Sequence, residues 1–454
     1  MRSPLSGRRW RQPESHFMPD SPAKKVLVLG GYGLIGEAVV GRLLRDGHQV
    51  TGLGRDIRDA ARRWPAVRWI TADMAQLLAA EDWLPIVAGM DAVVNAAGAL
   101  QDCPRDRLDA IHRASVVALV AACEQAGVSR VVQISAIGAD PASPDAFFST
   151  KAQGDKAIAS SSLEWTILRP GLVIAPAAYG GTALLRALAA FPGFIPAVMA
   201  RQPIQTVAVT DVTEAVSRAV AGSLPQRLSV DLVEAEARSL ADVLVAFRAW
   251  LGLPPARIVP MPAFLGRLAA VVADGLGQLG WRSPLRSAAL AALARGVTGN
   301  ARFWNEISDQ KLQPLEATLA AMPAHVQERW FARLWLLKPV VFGVLSLFWL
   351  VSGIVGFIMQ EAAAGILVSH GLTPVLALGM VLAGSVADIV VGAAVLVRSL
   401  ARFALLGMIA ITLLYLGAAT ALAPDLWLDP LGAMVKAVPA LCLALVALAI
   451  LDER

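Results

Sequence analysis

The sequence predicts two structural classes in succession: a doubly wound α/β domain on a parallel sheet over residues 24–300, then an all-α four-helix transmembrane domain over residues 334–454. Three observations predict this. Short β-branched and aliphatic runs alternate with helical patterns through the first 300 residues, as a parallel sheet with crossover helices requires. Gly30, Gly31, Gly33 and Gly36 stand between the first such run and the first helical pattern. Finally, 56% hydrophobic against 17% charged residues is too apolar for a wholly soluble chain of 454 residues. The excess lies from Leu336 to Leu451, where only Lys338, Glu361, Asp388, Arg398, Arg402, Asp425, Asp429 and Lys436 are charged.

Residues 1–23 read as a flexible basic tail. Its arginines are not followed by an apolar core, so it is no secretory signal and is expected to be cytosolic. Residues 1–25 hold six basic and two acidic side chains of a chain whose net charge is +5, so the folded body is nearly neutral and nucleic acid is not an expected partner. Cys103, Cys123 and Cys442 have no metal-ligand spacing and the five histidines form no zinc pattern, so no metal is expected and the thiols are read as structural in a reducing compartment.

Val26–Leu29 is the first strand, and Leu34, Ile35, Ala38, Val39, Leu43 and Leu44 mark the amphipathic helix after the glycines. Gly30, Gly33 and Gly36 give GxxGxxG, and Gly31, Gly33 and Gly36 give GxGxxG, so two Rossmann-like dinucleotide fingerprints overlap. A glycine turn lets the backbone approach a pyrophosphate, which the unpaired N–H groups of the helix then hold. Gly30, Gly31, Tyr32, Gly33, Leu34, Ile35 and Gly36 are therefore the expected phosphate site. Strand two, His48–Leu53, runs into Gly54, Arg55 and Asp56. An arginine there suits the 2′-phosphate of NADP and an acid suits the ribose of NAD, so Arg55, backed by Arg58, Arg62 and Arg63, favours NADP(H), with NAD(H) the alternative that Asp56 keeps open.

Val67–Thr71 is strand three and leads to Asp73 and Met74, which could meet the adenine edge. Strand four, Asp91–Ala96, ends in Asn95, Ala96, Ala97 and Gly98. A helix from about Arg105 to Ala126 follows, then Arg130–Ile134 ending at Ser135, and Glu164–Leu168 leading into Arg169, Pro170 and Gly171. Pro203–Val209, a helix from about Asp211, Leu228–Val233, a helix over 239–251 and a strand over 257–260 suggest a small cap over the substrate side. Trp281 and Trp304 are expected in ordinary core, with a pocket lining as the alternative.

Trp330, Phe331 and Trp335 among Glu328, Arg329 and Arg333 suit the membrane surface, giving a linker and interfacial helix over 301–333. Spans are expected at 334–358, 374–397, 403–423 and 431–451, each long enough for a hydrocarbon core about 30 Å thick. Arg329, Arg333, Lys338, Arg398, Arg402 and Arg454 flank one side, while the loops MQEAAAGILVSHGLT and PDLWLDP hold no lysine or arginine. The positive-inside rule then puts both termini and the nucleotide domain in the cytoplasm of a bacterial-type inner membrane. If its helix continues to Arg398, Asp388 lies about 15 Å from the inner face, near the midplane. It is either a functional group or an interhelical hydrogen bond, and Lys436 would reach it only by turning inward.

On GGYGLIG, Asp73-Met74, the NAAG of residues 95–98, Ser135, Lys151 and the LRPG of residues 168–171, the first part of the chain resembles the extended and atypical NAD(P)-binding branch of the short-chain dehydrogenase/reductase superfamily, which includes complex I accessory-subunit-like and NmrA-like proteins. The four-span block, with DPLGAMVKAVP opening its last helix, resembles the DoxX-like membrane domains of some redox-associated bacterial proteins. The first resemblance implies a serine, a tyrosine and a lysine four residues later, the lysine lowering the tyrosine pKa and holding the ribose. Ser135 and Lys151 take two of these roles, and the tyrosine position is Phe147, which cannot transfer a proton.

Tyr179, in APAAYGG after the sixth strand, would supply a displaced acid, or Ser135 would act alone. The expected cofactor-binding set is then the glycine turn with Arg55, Asp73, Met74, Ala96, Ala97, Gly98, Ser135, Lys151 and Pro170, and the expected catalytic set is Ser135, Lys151 and Tyr179. The reading is a membrane-anchored NAD(P)H-dependent oxidoreductase with a nicotinamide dinucleotide and the lipid bilayer as partners and a hydrophobic substrate, a quinone or lipid-soluble carbonyl. The rival is a non-catalytic NADP(H)-binding scaffold or redox sensor. Transport through the spans has only Asp388 behind it.

Overall fold

A computed structural model describes residues 22–102, 106–428, 430 and 432–452. The tail to residue 21, Cys103, Arg105, Asp429 and Arg454 lie outside the described residues.

Seven strands form one parallel sheet: β1 (Lys25–Leu29), β2 (Gln49–Gly54), β3 (Arg68–Thr71), β4 (Ala92–Asn95), β5 (Arg130–Ile134), β6 (Glu164–Pro170) and β7 (Leu228–Leu232), in the order β7-β6-β5-β4-β1-β2-β3. The continuous apolar runs of the central strands β1 and β4 are explained by burial on both faces. Val26 and Val28 of β1 join one core layer and Leu27 and Leu29 the other, and β4 divides likewise, Ala92 and Val94 from Val93. The strand order reverses between β1 and β4, so a crevice opens beyond the carboxyl ends of those two strands, where the glycine turn leaves β1. Helix α1 (Leu34–Arg45) follows that turn, α2 (Ser115–Ala126) continues from a π-helical turn at Ala110–Ala114, and α3 (Ala146–Ala159) packs beside it.

Three two-stranded sheets form a cap: Leu172–Ile174 with Thr206–Ala208, Phe194–Ala197 with Arg257–Pro260, and Pro203–Ile204 with Arg238–Ser239. Helix α4 (Ala263–Gln278) follows the cap. Trp304 lies in the core under the sheet, as expected. Trp281 does not: it is half-buried and packs against the core of the C-terminal bundle, where its indole N–H donates to the Leu396 carbonyl at 2.6 Å.

The C-terminal part is α5 (Val326–Ile358), α6 (Pro374–Ala394), α7 (Ala401–Leu422) and α8 (Ala433–Ala449). Among the described residues α5, α6 and α7 are long and apolar enough to cross a membrane. Helix α8 is shorter, its 17 residues spanning about 25 Å. Two expectations are corrected here. The stretch read as an outer loop contains a helix, Gln360–Ser369. Helix α6 stops at Ala394 rather than reaching Arg398, so Asp388 lies six residues, about 9 Å, from its end.

Helix α5 runs unbroken through residues 333 and 334, with Ala332 in the cap core and Phe342 and Trp349 in the bundle core. Small residues let α5 and α6 approach closely: a Cβ at Gly392 would come 2.9 Å from the Leu350 nitrogen, and Ser346 Oγ donates to the Gly392 carbonyl at 2.7 Å. Asp388 holds the bundle together by accepting from Ser352 Oγ of α5 and the Tyr415 hydroxyl of α7, each at 3.0 Å, while Lys436 is exposed. Lys338 and Arg398 both donate to the Leu451 carbonyl, which gathers these basic groups at one end, whereas His370 and Asp425 meet at 2.8 Å at the other.

Candidate functional site

The glycine turn is shaped by what a side chain would strike. Gly30 has φ +66°, and a Cβ there would lie 2.8 Å from the Ala97 Cα, so the β1 turn and the β4 end touch backbone to backbone. Gly36 packs α1 onto the turn: a Cβ would overlap the Gly30 carbonyl and come within 3.0 Å of Gly31 Cα. Gly33 is the helix N-cap and no side chain caps it. The first-turn amides of Leu34, Ile35 and Gly36 have no intrahelical acceptor and face the crevice with the positive end of the helix dipole. A dinucleotide's diphosphate fits this cradle.

At the β2 end, a Cβ at Gly54 would overlap the Tyr32 ring, so the tyrosine lies across that strand end. Arg55 pairs with Asp106 at 2.7 Å and also hydrogen-bonds the Tyr32 side chain. Asp73, just past β3, accepts from the Ala75 amide at 3.0 Å and caps a short turn, and Met74 is buried in the core layer. Ala96, Ala97 and Gly98 continue β4, and a Cβ at Gly98 would lie 3.4 Å from His112 Nε2 and 3.6 Å from Lys151 Nζ. This loop thus joins the phosphate turn to the lysine.

Lys151, on α3, is buried and donates to the Ile134 carbonyl at 2.8 Å, and burial lowers its pKa to about 8, with Asp155 acting the other way. The next residue after Ile134 is Ser135, whose hydroxyl donates to Asp155 Oδ2 at 2.5 Å. Asp155 is buried one helical turn beyond Lys151, and burial raises its pKa against the hydrogen bond from Ser135. Arg169 Nε stands 3.7 Å from the same carboxylate. Behind them Asn95 Nδ2 donates to Gln133 Oε1 at 2.9 Å and Asn95 Oδ1 accepts from the Ala97 amide at 3.1 Å, tying strand ends β4 and β5 together. Pro170 is buried at the end of β6 and pairs with Leu232.

Phe147 stands edge-on to His112, ring centroids 5.6 Å apart. His112 is buried, and burial with the nearby Lys151 charge pushes its pKa down to about 2, so the ring is neutral. Nε2 accepts from the Ala99 amide at 3.2 Å, so Nδ1 carries the proton and donates to Thr150 Oγ1 at 3.1 Å, while that hydroxyl donates to the Ala146 carbonyl. Tyr179 caps the helix Gly180–Ala189 and is exposed.

The fold therefore brings Ser135 and Lys151 together beside Gly98 and adds three groups that the sequence reading missed: His112, Gln133 and Asp155. Asp155 had a signal, since it falls four residues after Lys151 on one helix face. His112 had none, because its direction depends on the π-helical turn.

Residues 30–214 match the family model described as NAD(P)H-binding, and residues 346–445 match that of the DoxX-like family. Among solved structures, the chain is similar to the Bordetella bronchiseptica enzyme WbmG in complex with NAD, at 16% identity and TM-score 0.51, covering 67% of this chain and 94% of that one. WbmH of the same organism, in complex with NAD+, gives 18% identity and TM-score 0.52 over 68% and 99% of the two chains. A nucleoside-diphosphate-sugar epimerase from Staphylococcus aureus gives 14% and 0.50 over 65% and 99%. At such identities the likeness is one of fold. The comparison with curated proteins finds no match.

Proposed function

We propose, from the premise of an NAD(P)H-binding domain joined to a DoxX-like membrane domain, that this protein is a membrane-anchored oxidoreductase acting on a lipid-soluble carbonyl or quinone. One observation carries the reading: a buried lysine with a pKa near 8 lies beside Ser135, at the same strand-end crevice as the uncapped glycine turn. A bound nicotinamide would supply or accept hydride. Lys151, holding one backbone carbonyl, keeps N–H groups to orient a ribose. Ser135 shares its proton with Asp155, whose carboxyl burial favours in the neutral form, and that pair could hand a proton to a reduced oxygen in place of the missing tyrosine.

NADP(H) is the proposed preference, through Arg55, whose present partner Asp106 a 2′-phosphate would have to displace. The nucleotide lobe and both termini are placed in the cytoplasm, a reading supported by the gathering of Lys338 and Arg398 at the bundle end that meets this lobe.

Phe147 favours a second reading, a cofactor-binding sensor without turnover. Purified full-length protein tests both, with NADPH and NADH binding followed by fluorescence and oxidation followed on a panel of quinones and carbonyls. Turnover lost in Ser135→Ala supports the first reading. No turnover in the native chain, with large activity gained by Phe147→Tyr, would overturn it in favour of the second. Arg55→Ala should weaken NADPH and leave NADH unchanged; equal native affinities for the two would refute the NADP preference.

A further inference from the structure

Helix α4 is built inside out. Its buried residues are Gly266, Ala270, Ala273 and Gly277, whereas Phe264, Leu268, Val271 and Val272 face away from the protein at 64, 59, 67 and 56% exposure. At about 100° per residue these four fall on one stripe with Leu265 and Leu279, and Arg267 and Asp274 lie along its flank. A water-facing helix shows the opposite arrangement, with large apolar residues inward.

Three contacts fix where this stripe lies. The Arg398 amide donates to the Leu279 carbonyl at 3.0 Å, the Trp281 indole donates to Leu396, and the Trp281 ring meets Phe342 of α5 edge-on at 4.9 Å. The helix therefore ends against the basic end of the bundle, at the level where the apolar outer surfaces of α5 and α6 begin and where Lys338 and Arg398 are gathered. Its polar flank points the other way. Asp274 accepts from the Gln101 side chain at 3.1 Å and from Ser287 Oγ at 2.5 Å, which ties α4 to the loop running on from Gly98.

We propose that α4 lies in the membrane surface, its stripe buried at the headgroup–acyl boundary of the leaflet at the basic end of the bundle, with lipid as its occupant. The helix then forms a floor between the bilayer and the loop that borders Lys151. The continuity of its stripe with the bundle surface and the adjacent basic groups, which suit anionic headgroups, select lipid over a second copy of the chain.

The test is site-directed spin labelling of the full chain in nanodiscs containing phosphatidylglycerol, in a Cys103→Ser, Cys442→Ser background. Cys123 stays, because it is buried and its thiol is pushed up to about 12. Labels at Phe264→Cys, Leu268→Cys, Val271→Cys and Val272→Cys are compared with Leu347→Cys on the exposed surface of α5 and Arg62→Cys on the distant lobe. Each is read by relaxation with oxygen, which concentrates in lipid, and with an aqueous nickel chelate. All four should favour oxygen over the chelate, less strongly than Leu347→Cys, which lies about 14 Å further along α5 than Lys338, and far more strongly than Arg62→Cys. Chelate access like that of Arg62→Cys would overturn the proposal, as would shielding from both reagents, the mark of a protein partner. Chelate access at Leu347→Cys itself would remove the membrane anchor beneath it, a distinct failure. Unchanged melting temperatures confirm that the labels leave the fold intact.

Discussion

Two glycines of the phosphate turn should separate folding from binding. A Cβ at Gly36 would overlap the Gly30 carbonyl oxygen and stand 2.9 Å from its carbon and 3.0 Å from Gly31 Cα, against 3.4–4 Å for an ordinary contact. All three neighbours are backbone, so α1 must lift from the turn. Because those atoms are backbone and cannot swing aside, the methyl falls at the upper end of the overpacking range, about 3 kcal/mol, and since the better helix propensity of alanine returns about 1 kcal/mol at most, about 2 kcal/mol is lost. At roughly 2–4 °C per kcal/mol for domains of 150–250 residues, Gly36→Ala should lower the melting temperature by several degrees. It should also abolish nucleotide binding, since lifting α1 withdraws its amides.

Gly33 differs. Its Cβ would meet only the Gly30 oxygen, at 3.0 Å, and its backbone at φ −70° suits any residue, so the loss of stability should not exceed the roughly 1 kcal/mol that alanine costs at an N-cap. The methyl instead stands at the helix N-cap, beside the Gly30 oxygen, where an anion must come close, and it should weaken NADPH at least about tenfold, the equivalent of 1.4 kcal/mol. Thermal unfolding and fluorescence titration of the two full-length variants check this. Unimpaired binding by Gly33→Ala would refute the cradle, and an unshifted melting temperature in Gly36→Ala would refute the tight seat of the helix.

The pKa of Lys151 predicts a pH dependence of definite sign. Between about 8 and its ordinary value of 10.5 the unfolded chain carries the proton and the folded chain does not, so stability should rise with pH across that window, by an order of a few kcal/mol, while nucleotide affinity falls as the charged donor is lost. Denaturant titrations at pH 7–10 should find this slope in the native chain and not in Lys151→Met. In the bundle, Ser352→Ala and Tyr415→Phe each remove one hydrogen bond to Asp388 and should each destabilise by about 0.6 kcal/mol in a membrane unfolding assay, leaving NADPH affinity unchanged. Trp281→Ala removes the bond to Leu396 and the stacking of Arg398, 5.6 Å from the ring, and limited proteolysis near Arg282 should accelerate while the cofactor lobe stays intact.

The sheet was legible because both of its faces are buried. Val26–Leu29 is a continuous apolar run for that reason, as is Ala92–Val94, and the glycines after the first run mark the crevice without tertiary information. Ser135 and Lys151 were legible as a pair through the resemblance to a known superfamily. What stayed hidden depends on contacts distant in sequence. The pairing of Arg55 with Asp106 spans 51 residues and turns a presumed phosphate ligand toward the protein itself. Trp281 was read as ordinary core and instead lies half-buried against the core of the other domain, because its partner Leu396 lies 115 residues on. The partners of Asp388 were hidden too, since Ser352 and Tyr415, which both donate to it, lie 36 residues before it and 27 after it on other helices. The outward stripe of α4 was invisible for a different reason: periodicity locates an apolar face without saying whether protein or lipid covers it.

Helix α5 makes the two halves of the chain one mechanical unit. Its 33 residues, about 50 Å long, begin in the cap, where fully buried Ala332 packs among the residues that surround Phe247 and Leu315, and continue without a break to Trp349 in the bundle. The helix that Tyr179 caps, Gly180–Ala189, rests on the same stretch of α5, and its buried Arg186 is fixed by the Ala175 and Pro176 carbonyls and stacked on Trp250. A structureless linker would let the nucleotide lobe swing away from the bilayer. A continuous helix with a buried residue in each core cannot do so without emptying one of those sites, and replacing a buried contact by a cavity costs kilocalories rather than thermal energy. Trp281, in the segment after α4, supplies a second attachment, to the Leu396 carbonyl beyond the end of α6 as well as to Phe342 of α5, so rotation about the helix axis is restrained as well. The crevice beside Lys151 is thereby held in a fixed relation to the bundle, as the proposed lipid-soluble substrate would require of a site that meets it at the bilayer.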